Sequence, residues 1–72
     1  MAITGKQISD NLRREIETCG KSKAEIAKAM DVTPSTISQY CSGHTQPTLE
    51  NLARLCMVIG CSADDILGIR ET

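Results

Sequence analysis

The sequence has almost no aromatic residues: Tyr40 is its one tyrosine, and it contains neither tryptophan nor phenylalanine. Proteins that bind RNA or single-stranded DNA commonly stack the exposed bases on aromatic side chains. Long apolar runs are also missing, because the longest, residues 55–59, is far shorter than the roughly 20 residues of a membrane-spanning helix. The composition therefore argues against a single-strand or RNA binder and against a membrane-spanning protein.

The first residues, MAITGKQIS, lack the apolar stretch of a secretory signal, so we expect a cytoplasmic protein whose thiols stay reduced. The four cysteines lie inside or beside apolar segments: Cys19, Cys41, Cys56 and Cys61. Their simplest interpretation is as small hydrophobic residues of a core rather than as disulfide partners.

Basic and acidic residues are nearly equal in number, and the formal net charge of the 72 residues is −1. The segment up to Lys28 has six basic and four acidic residues, whereas the remainder has two basic and five acidic residues. One slightly positive pole is compatible with DNA binding, but the non-specific, salt-dependent affinity should be weak.

Helix-starting and helix-ending residues divide the chain into five predicted helices, the first at about residues 5–19. The predicted N-caps are Thr4, Ser22, Thr33, Thr48 and Ser62, and the predicted terminating glycines are Gly20, Gly43 and Gly60. Inward positions at helical spacing are Ile8, Leu12, Ile16 and Cys19; Ile26, Ala27 and Met30; Ile37, Tyr40 and Cys41; Leu49, Leu52, Ala53, Cys56 and Ile59; and Ile66 with Leu67. No segment alternates with period two, so the predicted fold class is all-α.

Residues 22–43 predict two short helices joined by a tight turn, with Ala27 small enough for the helices to touch. The ordered pattern is Ser22, Ile26-Ala27, Val32, Ile37-Ser38, Gly43, Pro47, an apolar helix over residues 49–59, and Ile66-Leu67. With this pattern the chain resembles the phage-repressor and Cro-like helix-turn-helix family, also called the xenobiotic-response-element type. The resemblance covers nearly the whole chain.

The resemblance implies a compact five-helix, lambda-repressor-like domain over residues 1–72, with the helix-turn-helix at about residues 23–42. It implies a transcriptional regulator, expected to be a repressor, that binds operator DNA as a homodimer and reads the major groove with residues 34–42. Base-reading positions are then Ser35, Thr36, Ser38 and Gln39, and positions facing the DNA backbone are Lys23, Ser42, His44 and Thr45.

Gln39 is the leading base-reading candidate, since its amide can pair bidentately with adenine. The third helix has no Arg or Lys, so we expect A·T recognition, methyl contacts and DNA shape to dominate. Four positions depart from the family pattern. Lys23 replaces a frequent glutamine, and Asp31 replaces a turn glycine. Pro34 replaces a frequent polar base reader, so we expect the first recognition position to read no base, and Cys41 replaces a common glutamate.

Several alternatives stay open. Ile66 and Ile69 are dimer-interface candidates, although Ile66 could instead close the monomer core. A helix-turn-helix with a neutral recognition helix could also be a protein-interaction module, such as an antitoxin or an antirepressor partner. The tail, residues 68–72, is expected to be frayed or to begin a linker.

Cysteine and histidine spacing allows a check for metal, because Cys41 precedes His44 by three residues and Cys56 precedes Cys61 by five. Structural zinc needs four ligands, and these cysteines belong to apolar helical stripes, so we expect no metal. The chain has no glycine-rich phosphate loop and no carboxylate pair. We accordingly predict no catalytic residue, no cofactor, no small-molecule substrate and no enzymatic activity.

Overall fold

The structure, a computed structural model, describes residues 3–69 and is all-helical over that range. Its helices are α1 (Gly5–Thr18), α2 (Lys23–Met30), α3 (Pro34–Ser42), α4 (Leu49–Ile59) and α5 (Ala63–Leu67). The predicted fold class and the five helices are confirmed. None of the helices in this range is long and apolar enough to cross a membrane.

Each helix begins at the N-cap that the sequence predicts. Thr4 and Gln7 bond each other's backbone N–H groups reciprocally, and Ser22 and Glu25 do the same at the start of α2. The other three helices have simpler caps. At the starts of α3, α4 and α5, the hydroxyl of the N-cap residue accepts a hydrogen bond from the backbone N–H three residues later; these N-caps are Thr33, Thr48 and Ser62. These bonds satisfy N–H groups that have no partner within the helix.

The turn between α2 and α3 depends on Asp31, which has a left-handed backbone with φ of +58°. Its N–H donates to the Lys28 carbonyl at 3.2 Å, and the Val32 N–H donates to the Ala27 carbonyl at 2.9 Å. Aspartate tolerates this conformation better than most residues with a Cβ. The turn therefore forms without the glycine that is common at this position.

One core holds the helices together: α1 packs against α3 and α5, while α2 packs against α3 and α4. The largest side chains that are fully buried come from every helix: Leu12, Ile16, Ile26, Met30, Ile37, Leu55 and Ile66. Ala27 is buried where α2 meets its neighbours, as predicted. This arrangement leaves the opposite face of α3 uncovered.

The inward face of α4 differs from the prediction at three positions. Leu49 is 86% exposed and Ala53 is also exposed, whereas Leu55 is fully buried. The prediction was wrong at these positions, because the buried side of α4 is turned toward Leu55, and it was right for Leu52, which is buried, and for Cys56 and Ile59, which pack against the core. Both stripes have helical spacing, and only the packing against α2 selects one of them.

The structure also corrects the prediction that Ile66 is a dimer-interface candidate. It is fully buried in the monomer core, and its carbonyl accepts a hydrogen bond from Asn11 Nδ2 at 3.2 Å. A partner chain cannot reach it without disrupting that core, so Ile69, which is 49% exposed, is the candidate that remains. The predicted fraying of the tail concerns mainly residues 70–72, which lie outside the described residues.

Candidate nucleic-acid interface

The outward face of α3 is polar and open. Ser35, Ser38 and Gln39 are exposed, while Ile37 and Tyr40 on the other side of the helix are buried. The domain's own side chains therefore do not cover three of the four residues predicted to read bases. Their hydroxyl and amide groups are of the kind that contact base edges.

Thr36 is a weaker candidate than its three neighbours, because it is partly buried and serves the start of α3. Its N–H donates to Thr33 Oγ1 at 3.3 Å, and the two hydroxyl oxygens lie 3.0 Å apart at hydrogen-bond distance. The hydroxyl of Thr36 is thus engaged with the side chain of the N-cap residue Thr33. It would have to exchange that partner to contact a base.

The end of α3 is closed by bonds to the Gln39 carbonyl. That oxygen accepts from the N–H of His44 at 3.1 Å, the N–H of Thr45 at 3.4 Å and the hydroxyl of Ser42 at 3.1 Å. The backbone amides of His44 and Thr45 are therefore already used. Only the side chains of these exposed residues are available for a phosphate.

Lys23 is the first residue of α2 and is exposed. It lies inside the Ser22–Glu25 capping box, in which hydrogen bonds from the backbone and side chain of Ser22 lower the pKa of Glu25. A carboxylate that stays ionised and bonded keeps the first turn of α2 ordered. Lys23 is therefore presented from a well-capped helix start.

A groove between α1 and the segment after α3 was not predicted. Residues of α1 form one wall and residues 42–46 the other; the polar and charged residues along it include Lys6, Asp10, Arg13, Ser42, His44 and Thr45. Three of the four predicted DNA-backbone residues thus share one groove with two basic residues of α1. The positive charge of the N-terminal segment was the available signal, but it could not show which basic residues face α3.

Charges along this groove are partly compensated within α1. Lys6 Nζ lies 3.1 Å from an Asp10 carboxylate oxygen, and Arg13 lies 3.8 Å from Asp10 and 3.7 Å from Glu17. All four side chains are substantially exposed, so these pairs are weak and exchange readily with other partners. The basic groups remain able to meet an anion from solvent.

The floor of the groove is tightly packed. Ser9 is 5% exposed, and a Cβ added at Gly43 would lie 3.3 Å from the Ser9 hydroxyl oxygen. Gly43 also has φ of +81°, which favours glycine. Cys41 lines the same floor, and burial raises the pKa of its thiol. Cys41 is thus a packed residue here, as predicted, and not an ionised one.

Within residues 3–69 the structure shows no candidate metal site. No group of three or more His, Cys, Asp and Glu side chains in that range could hold a metal ion. The four cysteines carry free thiols, and Cys41 is buried while the others are partly buried.

Two short helices joined by a tight turn, with a buried inner face and an open polar outer face on the second, define the class of helix-turn-helix proteins. Within that class, the family model described as Helix-turn-helix matches residues 12–66, and the chain belongs to this family, which is of the Cro/C1 type. The predicted family is confirmed.

Solved structures of three regulators are similar to this chain. The SOS-response transcriptional repressor LexA from Eubacterium rectale is 26% identical with a TM-score of 0.78, and the match covers 93% of this chain and 73% of that one. The clp gene regulator ClgR from C. glutamicum is 27% identical, with a TM-score of 0.79 and coverage of 93% and 87%. A transcriptional regulator from Listeria innocua is 32% identical, with a TM-score of 0.75 and coverage of 92% and 62%. A search of curated proteins gives no significant match.

Proposed function

We propose that this chain is a sequence-specific DNA-binding domain of a transcriptional regulator and that it places α3 in the major groove of double-stranded DNA. The observation that carries the proposal is the uncovered face of α3, on which Ser35, Ser38 and Gln39 are exposed above a fully packed inner face. Family membership and the three similar regulators support it. One of those relatives is described as a repressor, and we propose repression for this chain too.

Base recognition in this proposal rests mainly on Gln39, whose amide presents one acceptor and two donor hydrogens to adenine. Ser35 and Ser38 supply short hydroxyls that bond a base edge or a phosphate. Thr36 contributes only if its hydroxyl gives up its hydrogen bond with the hydroxyl of Thr33. Because α3 carries no basic side chain, the preferred site should be rich in A·T pairs.

Phosphate binding in this proposal uses both walls of the groove between α1 and residues 42–46. Lys23, Ser42, His44 and Thr45 are the predicted backbone contacts, and the groove adds Lys6 and Arg13 of α1. Each lysine or arginine that neutralises a phosphate releases a counterion, so affinity falls with salt concentration. With so few basic residues, one domain should bind one half-site weakly.

We further propose that the chain binds as a homodimer on two half-sites about one helical turn apart, because pairing compensates for the weakness of each domain. Ile69 is the proposed contact, since it is a large apolar side chain that is half exposed beyond α5. In this proposal residues 1–72 are a single domain that acts in the cytoplasm by binding DNA and not as an enzyme.

Selection of bound duplexes from a random library, followed by salt titration of the best duplex, tests the proposal. We expect an A·T-rich palindrome and a log-affinity that falls linearly with the logarithm of salt concentration. Lys23→Ala should reduce that slope by about one unit, whereas Lys28→Ala, on the same helix but in its last turn, should leave it nearly unchanged.

The second candidate function is a protein-interaction module, which the neutral recognition helix favours. For that function, selection should return no preferred duplex and the salt slope should be near zero. Such a result would overturn the DNA-binding proposal. Equal effects of Lys23→Ala and Lys28→Ala would remove Lys23 from the contact surface and leave the remainder of the proposal in place.

A further inference from the structure

The end of α4 brings two cysteines together across one turn of backbone. Gly60 follows the helix with a left-handed φ of +76°, and the chain reverses there. The N–H groups of Gly60 and Cys61 both donate to the Cys56 carbonyl, at 2.9 and 3.2 Å. This closure places Cys61 against the last turn of the helix, where such caps often make a side-chain contact.

The bond from Cys61 to Cys56 limits how far apart the two residues can lie. Standard backbone dimensions and an N···O distance of 3.2 Å keep the two Cα atoms within about 7 Å. Disulfides join Cα atoms that are roughly 4.4–6.8 Å apart. The turn therefore holds the two residues at or near disulfide distance without any change in the backbone hydrogen bonds.

The two side chains also meet each other. Both are partly buried and pack at the margin of the core. Burial raises the pKa of the Cys61 thiol to about 12, and the charge of Cys56 and a hydrogen bond with it add to the effect, as do the carboxylates of Glu15 and Asp65. A thiol that keeps its proton is a poor nucleophile, so the closeness of the two residues, and not the acidity of a thiol, favours a disulfide here.

We propose that Cys56 and Cys61 form an oxidisable dithiol site, in which a hydroperoxide oxidises one of the two sulfurs and the other then closes an intramolecular disulfide. This site is separate from the recognition face of α3 and does not depend on the proposed function. The other two cysteines lack such an arrangement: Cys41 lies on the floor of the groove, and the Cys19 sulfur lies 3.2 Å from the Ile16 carbonyl oxygen and 3.4 Å from the Lys21 nitrogen.

The chemistry balances in two steps. One of the two sulfurs, after losing its proton, attacks one peroxide oxygen; the O–O bond breaks, and an alcohol or water leaves as the sulfenic acid forms. The other sulfur then displaces the sulfenic hydroxyl, an S–S bond forms, and its proton leaves with that hydroxyl as water. The dithiol loses two electrons and two protons, and the peroxide is the species reduced.

Peptide mapping of the full chain tests the site directly. Trypsin should release residues 55–70 as one peptide, because no Lys or Arg lies between Arg54 and Arg70. After brief treatment of the folded protein with hydrogen peroxide and alkylation of the remaining thiols, this peptide should lack two hydrogens and carry no alkyl group. Cys19 and Cys41 should be alkylated as in the untreated protein. Oxidation of Met57 adds oxygen and is distinguishable by mass.

Single variants test the intermediate. Neither Cys56→Ser nor Cys61→Ser can close the disulfide, so after peroxide treatment a sulfenic acid should accumulate on the remaining cysteine of at least one of them, where dimedone traps it. No trapped sulfenic acid in either variant would overturn the sulfenic-acid step. Alkylation of both cysteines in peptide 55–70 after peroxide, or a bridge to Cys19 or Cys41, would overturn the site itself, even if either variant failed to fold.

Discussion

The hydroxyl of Tyr40 on α3 accepts a hydrogen bond from Asn51 Nδ2 on α4 at 3.4 Å, and this bond links the two helices. Tyr40 is 4% exposed and is the neighbour in sequence of the exposed Gln39. The bond is long, so Tyr40→Phe should cost about 0.5–1 kcal/mol of unfolding free energy. Urea denaturation checks this.

The control for Tyr40 is the double variant with Asn51→Ala. If the bond contributes as the geometry indicates, the two substitutions together should cost less than the sum of the separate costs. Strict additivity would show that the two groups do not interact. The preferred duplex should be the same for all three variants, because none of them alters the outward face of α3.

Gln39→Ala should relax one base preference and leave the fold intact. Gln39 is exposed, so its loss costs little stability, but a bidentate contact to adenine contributes roughly 1–3 kcal/mol of discrimination. Competition between the selected duplex and single-base variants measures it. Ser42→Ala is a matched polar substitution on the same helix; it should weaken all duplexes alike. An unaltered base preference in Gln39→Ala would exclude Gln39 from readout.

Gly43→Ala should destabilise the domain more than Gly20→Ala. Both glycines have positive φ, +81° and +84°, so either substitution should cost about 1–2 kcal/mol for the backbone alone. A Cβ at Gly43 also meets the Ser9 side chain, whereas one at Gly20 has nothing within 4 Å. Thermal unfolding of the two variants isolates the contact with Ser9. Equal destabilisation would show that the groove floor adjusts freely.

Leu55→Ala and Leu49→Ala form a pair on one helix with opposite expectations. Leu55 is fully buried, so its truncation should cost about 2–5 kcal/mol. Leu49 is 86% exposed, and its truncation should fall within about 0.5 kcal/mol of zero. Denaturation in urea compares them. A large cost at Leu49 would mean that α4 has the rotation first inferred from its apolar pattern.

Glu25 should make the stability of α2 depend on pH in the acid range. Its pKa in the folded chain is lowered below the ordinary 4.5 by the hydrogen bonds from Ser22. The unfolded chain therefore binds the proton more readily, so the stabilisation is present above pH 4.5 and is lost as the pH falls through the lowered pKa.

Glu25→Gln tests this dependence, because glutamine keeps the hydrogen-bond acceptor of the capping box but has no charge to titrate. The melting temperature of the unmodified chain should exceed that of Glu25→Gln near neutral pH and approach it on acidification. Thermal scans over a series of pH values measure this difference. A difference that stays constant with pH would contradict the role assigned to the ionised carboxylate.

The sequence alone was sufficient for the five helices and their boundaries, since the signals for them are local. The pair Ser22 and Glu25 encodes a helix start within four residues, and Gly43 or Gly60 encodes an end through its backbone freedom. Even the departure at Asp31 was predictable, because aspartate tolerates the left-handed conformation on its own. The open face of α3 followed from the same periodicity.

Only the tertiary structure decided which of two apolar stripes of α4 faces inward, because Leu49 and Leu55 are chemically alike and the choice depends on the helices packed beside them. Packing likewise buried Ile66 and brought Lys6 and Arg13 of α1 beside His44, more than thirty residues away in the chain. Local preferences act over a few residues and set the elements, whereas contacts between distant elements form only when one core has to accommodate all of them.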